Sequence, residues 1–287
     1  MGETMKRRSS EWEFETNGIT TVVSEWGAGD RHAVLLHGVS GNRHYWSDIG
    51  PQLASEGWHV FAPDLRGAGE SRVMSDDQVG RDIQMYVEDL KSWTEELGLE
   101  SFTLAGHSFG GRLTVDFTAK YPSRVNKMIL IAAAGPDALN DVGREHPELV
   151  QQGGGNFSEL SGIKGHVVEV LQKLRDRQPD RPATRAVMRR WLENLEIGPD
   201  GQAQHQDITA TAEAQMQIIR TDDQTPLLAD LNQPTVVLRS VDESAMLRYV
   251  IPHYAEQIPH ATFVDDVPGG HDTPTASPEY VLQAFRD

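Results

Sequence analysis

The chain contains no cysteine, so it has no disulfide framework, no thiol nucleophile and no thiolate metal site. That absence suits a reducing compartment, and a cytoplasmic protein is expected. Positive charge is also scarce: 26 Lys and Arg face 43 Asp and Glu, a formal net charge of −17. Backbone phosphates are bound by clustered cations, so no nucleic-acid partner is expected. The basic clusters Lys6-Arg7-Arg8 and Arg189-Arg190 are brief, and the first lies in a polar N-terminal segment that reads as a solvated tail. No apolar run reaches the roughly eighteen residues of a membrane helix, and the N-terminus lacks the apolar centre of a signal peptide, so no membrane association is expected. There is no H-E-x-x-H run and the histidines do not pair at ligand spacing, so no metal is expected. Internal repeats and low-complexity tracts are absent, and nothing in the pattern speaks to oligomeric state.

What is present is an alternation. Ile19–Glu25, His32–Leu36, His59–Ala62, Ser101–Ala105, Val125–Ala133, Thr235–Arg239 and Ala261–Val264 read as strands. Ala33-Val34-Leu35-Leu36 and Met128-Ile129-Leu130-Ile131 are continuously apolar, as strands covered on both faces should be. Between them Ile83, Tyr86, Val87, Leu90, Trp93 and Leu97 recur at helical spacing up to Gly98; a second helix is expected from Phe109 to Tyr121 and a last one from Pro278 to Phe285. The rhythm predicts an α/β fold with a doubly wound, mostly parallel sheet. From about Gly135 to Asp230 it disappears. Val167, Val168, Leu171 and Leu174 suggest one helix there, and Val187, Met188, Trp191, Leu192 and Leu195 another. We therefore expect a core of residues 1–134 and 231–287 with an inserted helical lid at 135–230. Gly153-Gly154-Gly155 and Gly198-Pro199-Asp200-Gly201 would be its joints.

Gly106-His107-Ser108-Phe109-Gly110 is a G-x-S-x-G run between a predicted strand and a predicted helix. Small residues two before and two after a serine permit a sharp strand-to-helix turn that pushes Oγ outward, so Ser108 is the expected nucleophile. A serine hydroxyl needs a base and an orienting acid. His271, in Gly269-Gly270-His271 after the last predicted strand, is the expected base. Asp242 and Glu243 both follow the strand Thr235–Arg239; Asp242 is preferred as the acid for its short side chain, with Glu243 the alternative and Asp137 a weaker third. The N–H groups of Val39, after His37-Gly38, and of Phe109 are expected to form the oxyanion hole. His37 is expected to hold its loop by hydrogen bonding. Trp46 and Trp191, with Phe109 and Met216, are candidates for an apolar substrate wall, core packing being the alternative for each.

His37-Gly38, Trp46, Asp64-Leu65-Arg66-Gly67-Ala68-Gly69-Glu70-Ser71, Gly106-His107-Ser108-Phe109-Gly110-Gly111 and Gly270-His271 occur in an order that resembles the α/β-hydrolase superfamily over nearly the whole chain. The resemblance implies a cofactor-free serine hydrolase with a Ser-acid-His triad and a lid between the sixth and seventh strands, and makes Asp64, Gly67 and Gly69 loop-shaping residues. Members often carry glycine where Ser240 stands with the acid three residues beyond, which favours Glu243, while Ala133 fills the other acid position. The expected activity is cleavage of a small-molecule carboxylic ester or lactone through an acyl-enzyme. Carbon–carbon bond hydrolysis, cofactor-independent oxygenation and a hydrolase-like small-molecule receptor are the alternatives on this fold. A serine nucleophile argues against the dehalogenase and epoxide-hydrolase branches, which use a carboxylate.

Overall fold

The computed structural model describes residues 5–8, 10–150, 163–177, 188, 191–192, 194–206 and 208–287. Nine strands form one sheet, β1 (Met5–Arg8), β2 (Glu11–Thr16), β3 (Ile19–Trp26), β4 (Arg31–Leu36), β5 (Trp58–Pro63), β6 (Phe102–His107), β7 (Val125–Ile131), β11 (Thr235–Ser240) and β12 (Ala261–Val267). Their order is β1-β2-β3-β5-β4-β6-β7-β11-β12. From β5 to β12 neighbours run parallel; β1, β2 and β3 are antiparallel at one edge. The α/β, doubly wound reading holds. The N-terminal segment departs from expectation: the stretch read as a solvated tail is an edge strand, Lys6 pairing with Glu13 and Arg8 with Glu11. Backbone pairing along an edge asks little of side-chain hydrophobicity, so polar composition did not signal it.

The two faces of the central strands are buried in different cores. Along β4, Val34 and Leu36 point into one apolar cluster and Ala33 and Leu35 into the other; along β7, Met128 and Leu130 part from Ile129 and Ile131 in the same way. The first cluster is covered by α2 (Ile83–Glu96) and α3 (Phe109–Lys120), the second by α1 (Gly50–Ser55) and the last helix, α11 (Pro278–Arg286). Helix α2 starts where the Asp82 carboxylate accepts from the Gln84 N–H, and ends at Gly98, whose φ of +68° only glycine adopts without cost.

Between β7 and β11 the chain leaves the large sheet. Its described part contains α4 (Leu139–Glu145), β8 (Lys164–His166), α5 (Val167–Arg177), β9 (Leu195–Ile197), β10 (Gln202–His205), α6 (Thr209–Thr221) and α7 (Thr225–Leu228). A purely helical segment was expected. Instead β8, β10 and β9 form a small antiparallel sheet, and Gly198-Pro199-Asp200-Gly201, expected as a joint, is the tight turn of its hairpin, closed by the Gly198 N–H on the Gln202 carbonyl at 2.8 Å. The strands are three or four residues long, below the length at which alternation can be read. Helix α5 lies on its expected pattern. The second expected helix falls largely outside the described residues, as does Gly153-Gly154-Gly155, and Leu195 opens β9 instead.

Both ends of this segment are held by one buried side chain of α3. Arg112 donates through Nη1 to the carbonyls of Gly135 and Asp137, and through Nη2 to the carbonyl and carboxylate of Asp222, at 2.6 and 3.2 Å for the last two. Beside it, buried Gln224 donates to the Arg112 carbonyl and the Asp116 carboxylate, and accepts from the Tyr254 hydroxyl. No helix among the described residues is long and apolar enough to cross a membrane.

Burial pushes the Asp116 carboxyl up from 3.8 to about 6, despite the Gln224 hydrogen bond, which favours its charged form. A carboxyl whose pKa rises on folding contributes stability in full below the unfolded value, and that contribution is lost as pH climbs through about 6. The shift is worth roughly 3 kcal/mol at most. Urea unfolding of Asp116→Asn, which cannot ionise, should therefore lack a decline of about 2–3 kcal/mol that the parent chain suffers between about pH 4 and pH 7. Parallel stability curves for the two proteins would refute this.

Candidate active site

Strand β6 hands over to α3 at a single residue. Ser108 has φ 53° and ψ −114°, a left-handed conformation that costs a non-glycine residue about 1–3 kcal/mol. Its neighbours must be small. A Cβ on Gly106 would overlap the Gly110 carbonyl, one on Gly110 would stand 2.5 Å from the Leu36 carbonyl oxygen, and one on Gly111 would stand 2.5 Å from Ala133 Cβ. The turn is held by the Ser108 N–H on the Ile131 carbonyl at 3.0 Å, and by the Ser108 carbonyl accepting from Gly111 and Ala134. Main chain alone thus fixes the residue, and its hydroxyl is left to point outward.

The loop after β12 turns through Gly269 and Gly270, at φ +103° and +65°, and sets His271 above that hydroxyl. His271 Nε2 lies 3.0 Å from Ser108 Oγ, and Nδ1 lies 2.9 Å from Glu243 Oε1. A carboxylate only accepts, so Nδ1 carries the ring proton and Nε2 is free to accept from the serine hydroxyl. The carboxylate is sealed, with 1% of the Glu243 side chain exposed against 42% for His271. Its second oxygen accepts from the Ser244 N–H at 3.3 Å.

The preference for Asp242 is therefore corrected. Asp242 is exposed and contributes a backbone N–H to Ser240 Oγ, while the next residue turns inward to the imidazole. Which of two adjacent acids faces inward depends on the turn after β11, and residue type does not encode it. Asp137 is elsewhere, accepting from His253 Nδ1 at 2.7 Å.

Three side chains that hold the loop of His271 were not anticipated. Ser240, fully buried at the end of β11, accepts through Oγ from the Gly270 N–H at 2.8 Å and the Asp242 N–H at 3.2 Å. One hydroxyl thus ties together the residues just before the imidazole and just before its carboxylate. From the other side His107 Nε2 donates to the His271 carbonyl at 2.7 Å, and the Tyr45 hydroxyl donates to Asp272 at 3.2 Å. The only sequence signal was that Ser240 stands where glycine is common.

Gly38 presses against the turn at Ser108: a Cβ there would stand 2.9 Å from Ser108 Cβ. This brings the loop carrying Val39 beside Phe109, whose N–H opens α3 and has no carbonyl four residues back to bond. His37 Nε2 accepts from the Leu65 N–H at 3.0 Å, so Nδ1 donates to the Gly38 carbonyl at 2.8 Å and holds this loop. Asp64 shapes the adjoining loop by accepting from the N–H groups of Arg43 and Glu70 and from the Arg43 guanidinium.

A cavity of about 520 Å³ opens over Ser108 and His271, walled by Leu139 of α4, Met216 and Ile219 of α6, and Leu247 of α8 (Ala245–Val250). Met216 was among the candidates for this wall. Trp46 and Trp191 are not on it: Trp46 is fully buried against Tyr45 on the α1 side of the sheet, and Trp191 packs on Val170 and Leu174 in a separate core inside the insertion. The Phe109 ring is buried edge-on to Tyr86. Indole and phenyl rings satisfy a core as readily as a pocket, so only packing separates the two fates. Among the described residues no cluster of three or more acidic or histidine side chains could hold a metal ion.

A profile of the α/β hydrolase fold matches residues 32–163. The 1-acylglycerol-3-phosphate O-acyltransferase ABHD5 of Homo sapiens is 34% identical over 140 residues, which cover 46% of this chain and 39% of that protein. The uncharacterized protein Rv2715 of Mycobacterium tuberculosis is 33% identical over 109 residues, 38% of this chain and 31% of its own. The chain thus spans well under half the length of these curated relatives. Among solved structures, E-2-(acetamidomethylene)succinate hydrolase superposes over 99% of this chain and 98% of its own with a TM-score of 0.77 at 21% identity. The thioesterase domain from the curacin biosynthetic pathway does so over 100% of both at 0.73 and 18%. The parallel sheet, the strained turn between β6 and α3 and the profile match agree that the chain has the α/β-hydrolase fold.

Proposed function

We propose that the protein is a serine hydrolase that cleaves a small-molecule carboxylic ester or lactone through an acyl-enzyme. The observation that carries this reading is the unbroken chain Ser108 Oγ, His271 Nε2, His271 Nδ1, Glu243 Oε1, at 3.0 and 2.9 Å. In the first step Nε2 takes the hydroxyl proton as Oγ attacks the carbonyl carbon, and the carbonyl electron pair moves onto oxygen. Glu243 stabilises the imidazolium and keeps its orientation. The N–H groups of Val39 and Phe109 are the donors we assign to the oxyanion. As the intermediate collapses, His271 returns the proton to the departing alkoxide. Water, deprotonated by the same histidine, then attacks the acyl-enzyme, and the acid is released with Ser108 regenerated.

The segment 135–230 serves in this reading as the lid, since α4 and α6 contribute the aliphatic wall that excludes bulk water from the carbonyl. One observation favours a second reading, in which an alcohol replaces water as acyl acceptor: the matched relative from Homo sapiens bears the name of an acyltransferase. Product analysis separates the two, because hydrolysis yields the free acid and transfer a new ester.

Ser108→Ala should lower kcat for 4-nitrophenyl butyrate by about 10⁴-fold or more, and a fluorophosphonate probe should label Ser108 in the parent protein. Full activity in the variant, or a label mapped to another residue, would overturn the nucleophile. Glu243→Gln should cost roughly 10²–10⁴-fold while Asp242→Asn stays within about twofold, both in proteins whose circular dichroism is unchanged. The opposite ranking would return the acid role to Asp242.

A further inference from the structure

The wall of the cavity over Ser108 is aliphatic apart from a few polar groups, and among the described residues that line it one side chain carries a permanent charge: Arg220, in the last turn of α6. Spacing puts it on the same helix face as Met216, four residues earlier, beside Ile219, so a guanidinium adjoins the apolar surface that faces the reacting hydroxyl. Several buried arginines of the chain have acids to meet. Arg43 is paired with Asp64, Arg66 with Asp89 and Arg112 with Asp222. Arg220 has no ion pair or hydrogen bond among the described residues, in a chain with 43 acidic and 26 basic side chains.

The acids closest in sequence are already engaged. Asp222 accepts from Arg112, and Asp223 accepts from the N–H and hydroxyl of Thr225. Glu243, the acid nearest the reacting centre, is enclosed behind His271. Among the described residues no carboxylate lines the cavity. Arg220 is exposed, so water solvates its guanidinium, and a planar fork of donors beside aliphatic walls matches the two oxygens of a carboxylate or phosphate that would replace that water.

We propose that Arg220 is the anion-recognising end of the substrate pocket, so that the preferred substrate has an apolar body and a carboxylate or phosphate remote from the carbonyl that Ser108 attacks. The inference rests on the reading of Ser108 as the nucleophile. Anionic groups bind at the guanidinium, the aliphatic wall receives the body between, and Arg220 acts on binding and orientation without touching the reacting atoms. This is a specificity device, with selectivity rather than bond-breaking as its readout.

The test uses 4-nitrophenyl half-esters of glutaric, adipic and suberic acids against their methyl-capped counterparts, which differ in charge and hardly in shape. The ratio of kcat/KM for charged over capped substrate should exceed about tenfold at one chain length, carried by KM. It should collapse in Arg220→Gln and be partly restored in Arg220→Lys. Equal ratios in the parent and Arg220→Gln at every length would overturn the proposal. Calorimetry in a Ser108→Ala background separates it from the nucleophile reading: adipate or inorganic phosphate should bind there and lose affinity in Ser108→Ala with Arg220→Gln, the tighter anion naming the source. Absence of saturable binding of either anion, or binding indifferent to Arg220, rejects the role of Arg220. Turnover that survives Ser108→Ala rejects the nucleophile alone.

Discussion

The left-handed backbone at Ser108 is the constraint on which the rest depends. A serine does not adopt φ 53° unless the surroundings over-determine it. Here the strain is contained by neighbours on three sides: β7 through the Ile131 carbonyl, the β4 end through the close approach of Gly110, and Ala133 against Gly111. The approaches at Gly110 and Gly111 each require a missing Cβ. The same turn decides where the hydroxyl points and where α3 begins. One helical turn later α3 places Arg112 under the chain ends at Gly135 and Asp222. The helix that presents the candidate nucleophile thus also fixes the roots of the segment that covers it.

Around this turn, buried polar groups act as spacers. Asp64 and Arg43 are removed from water and repaid by each other and by main-chain donors, an arrangement that adds little net stability but tolerates no alternative loop geometry. Ser240 does with one hydroxyl what a longer network does elsewhere: it fixes the separation of two loops that approach from different strands. An imidazole held through its neighbours' backbone can be half exposed and still be oriented, which the candidate base above an open cavity requires. His107 and Tyr45 complete the hold from the opposite side.

The insertion has a different physical character. Its small sheet and α5 enclose a core of their own, with Trp191, Val170 and Leu174, separate from the two cores of the large sheet. Among the described residues, contact with the candidate site comes instead from its two roots, α4 and α6, which adjoin the anchoring Arg112. The pocket wall is thereby made of the parts of the insertion most firmly tied to the core. Variation in the outer part can change without moving the wall, which is how one scaffold supports many substrates.

Continuous apolar runs at β4 and β7 announced burial on both faces, because only a strand covered twice has no use for alternation. Helix spacing located α2, α3 and α11, and the G-x-S-x-G run with Gly269-Gly270-His271 located the serine and imidazole, since sharp turns demand glycine and demand it at fixed offsets. Those features are local, so the linear order of residues determines them. The rest was settled by distance between segments far apart in the chain. Glu243 and Asp242 are chemically equivalent in sequence, and only the turn after β11 turns one to His271 and the other to solvent. Trp46 and Trp191 carry the apolar area of a pocket wall, yet packing consigned both to cores. The edge strand at Met5–Arg8 and the hairpin of β9 and β10 arise from backbone pairing, which leaves no mark in side-chain hydrophobicity. Sequence determined where a hydroxyl and an imidazole had to be presented; tertiary structure alone decided which carboxylate, which wall and which cation surround them, because those choices depend on contacts between separate segments, 28 positions apart for Glu243 and His271 and 110 for Arg112 and Asp222.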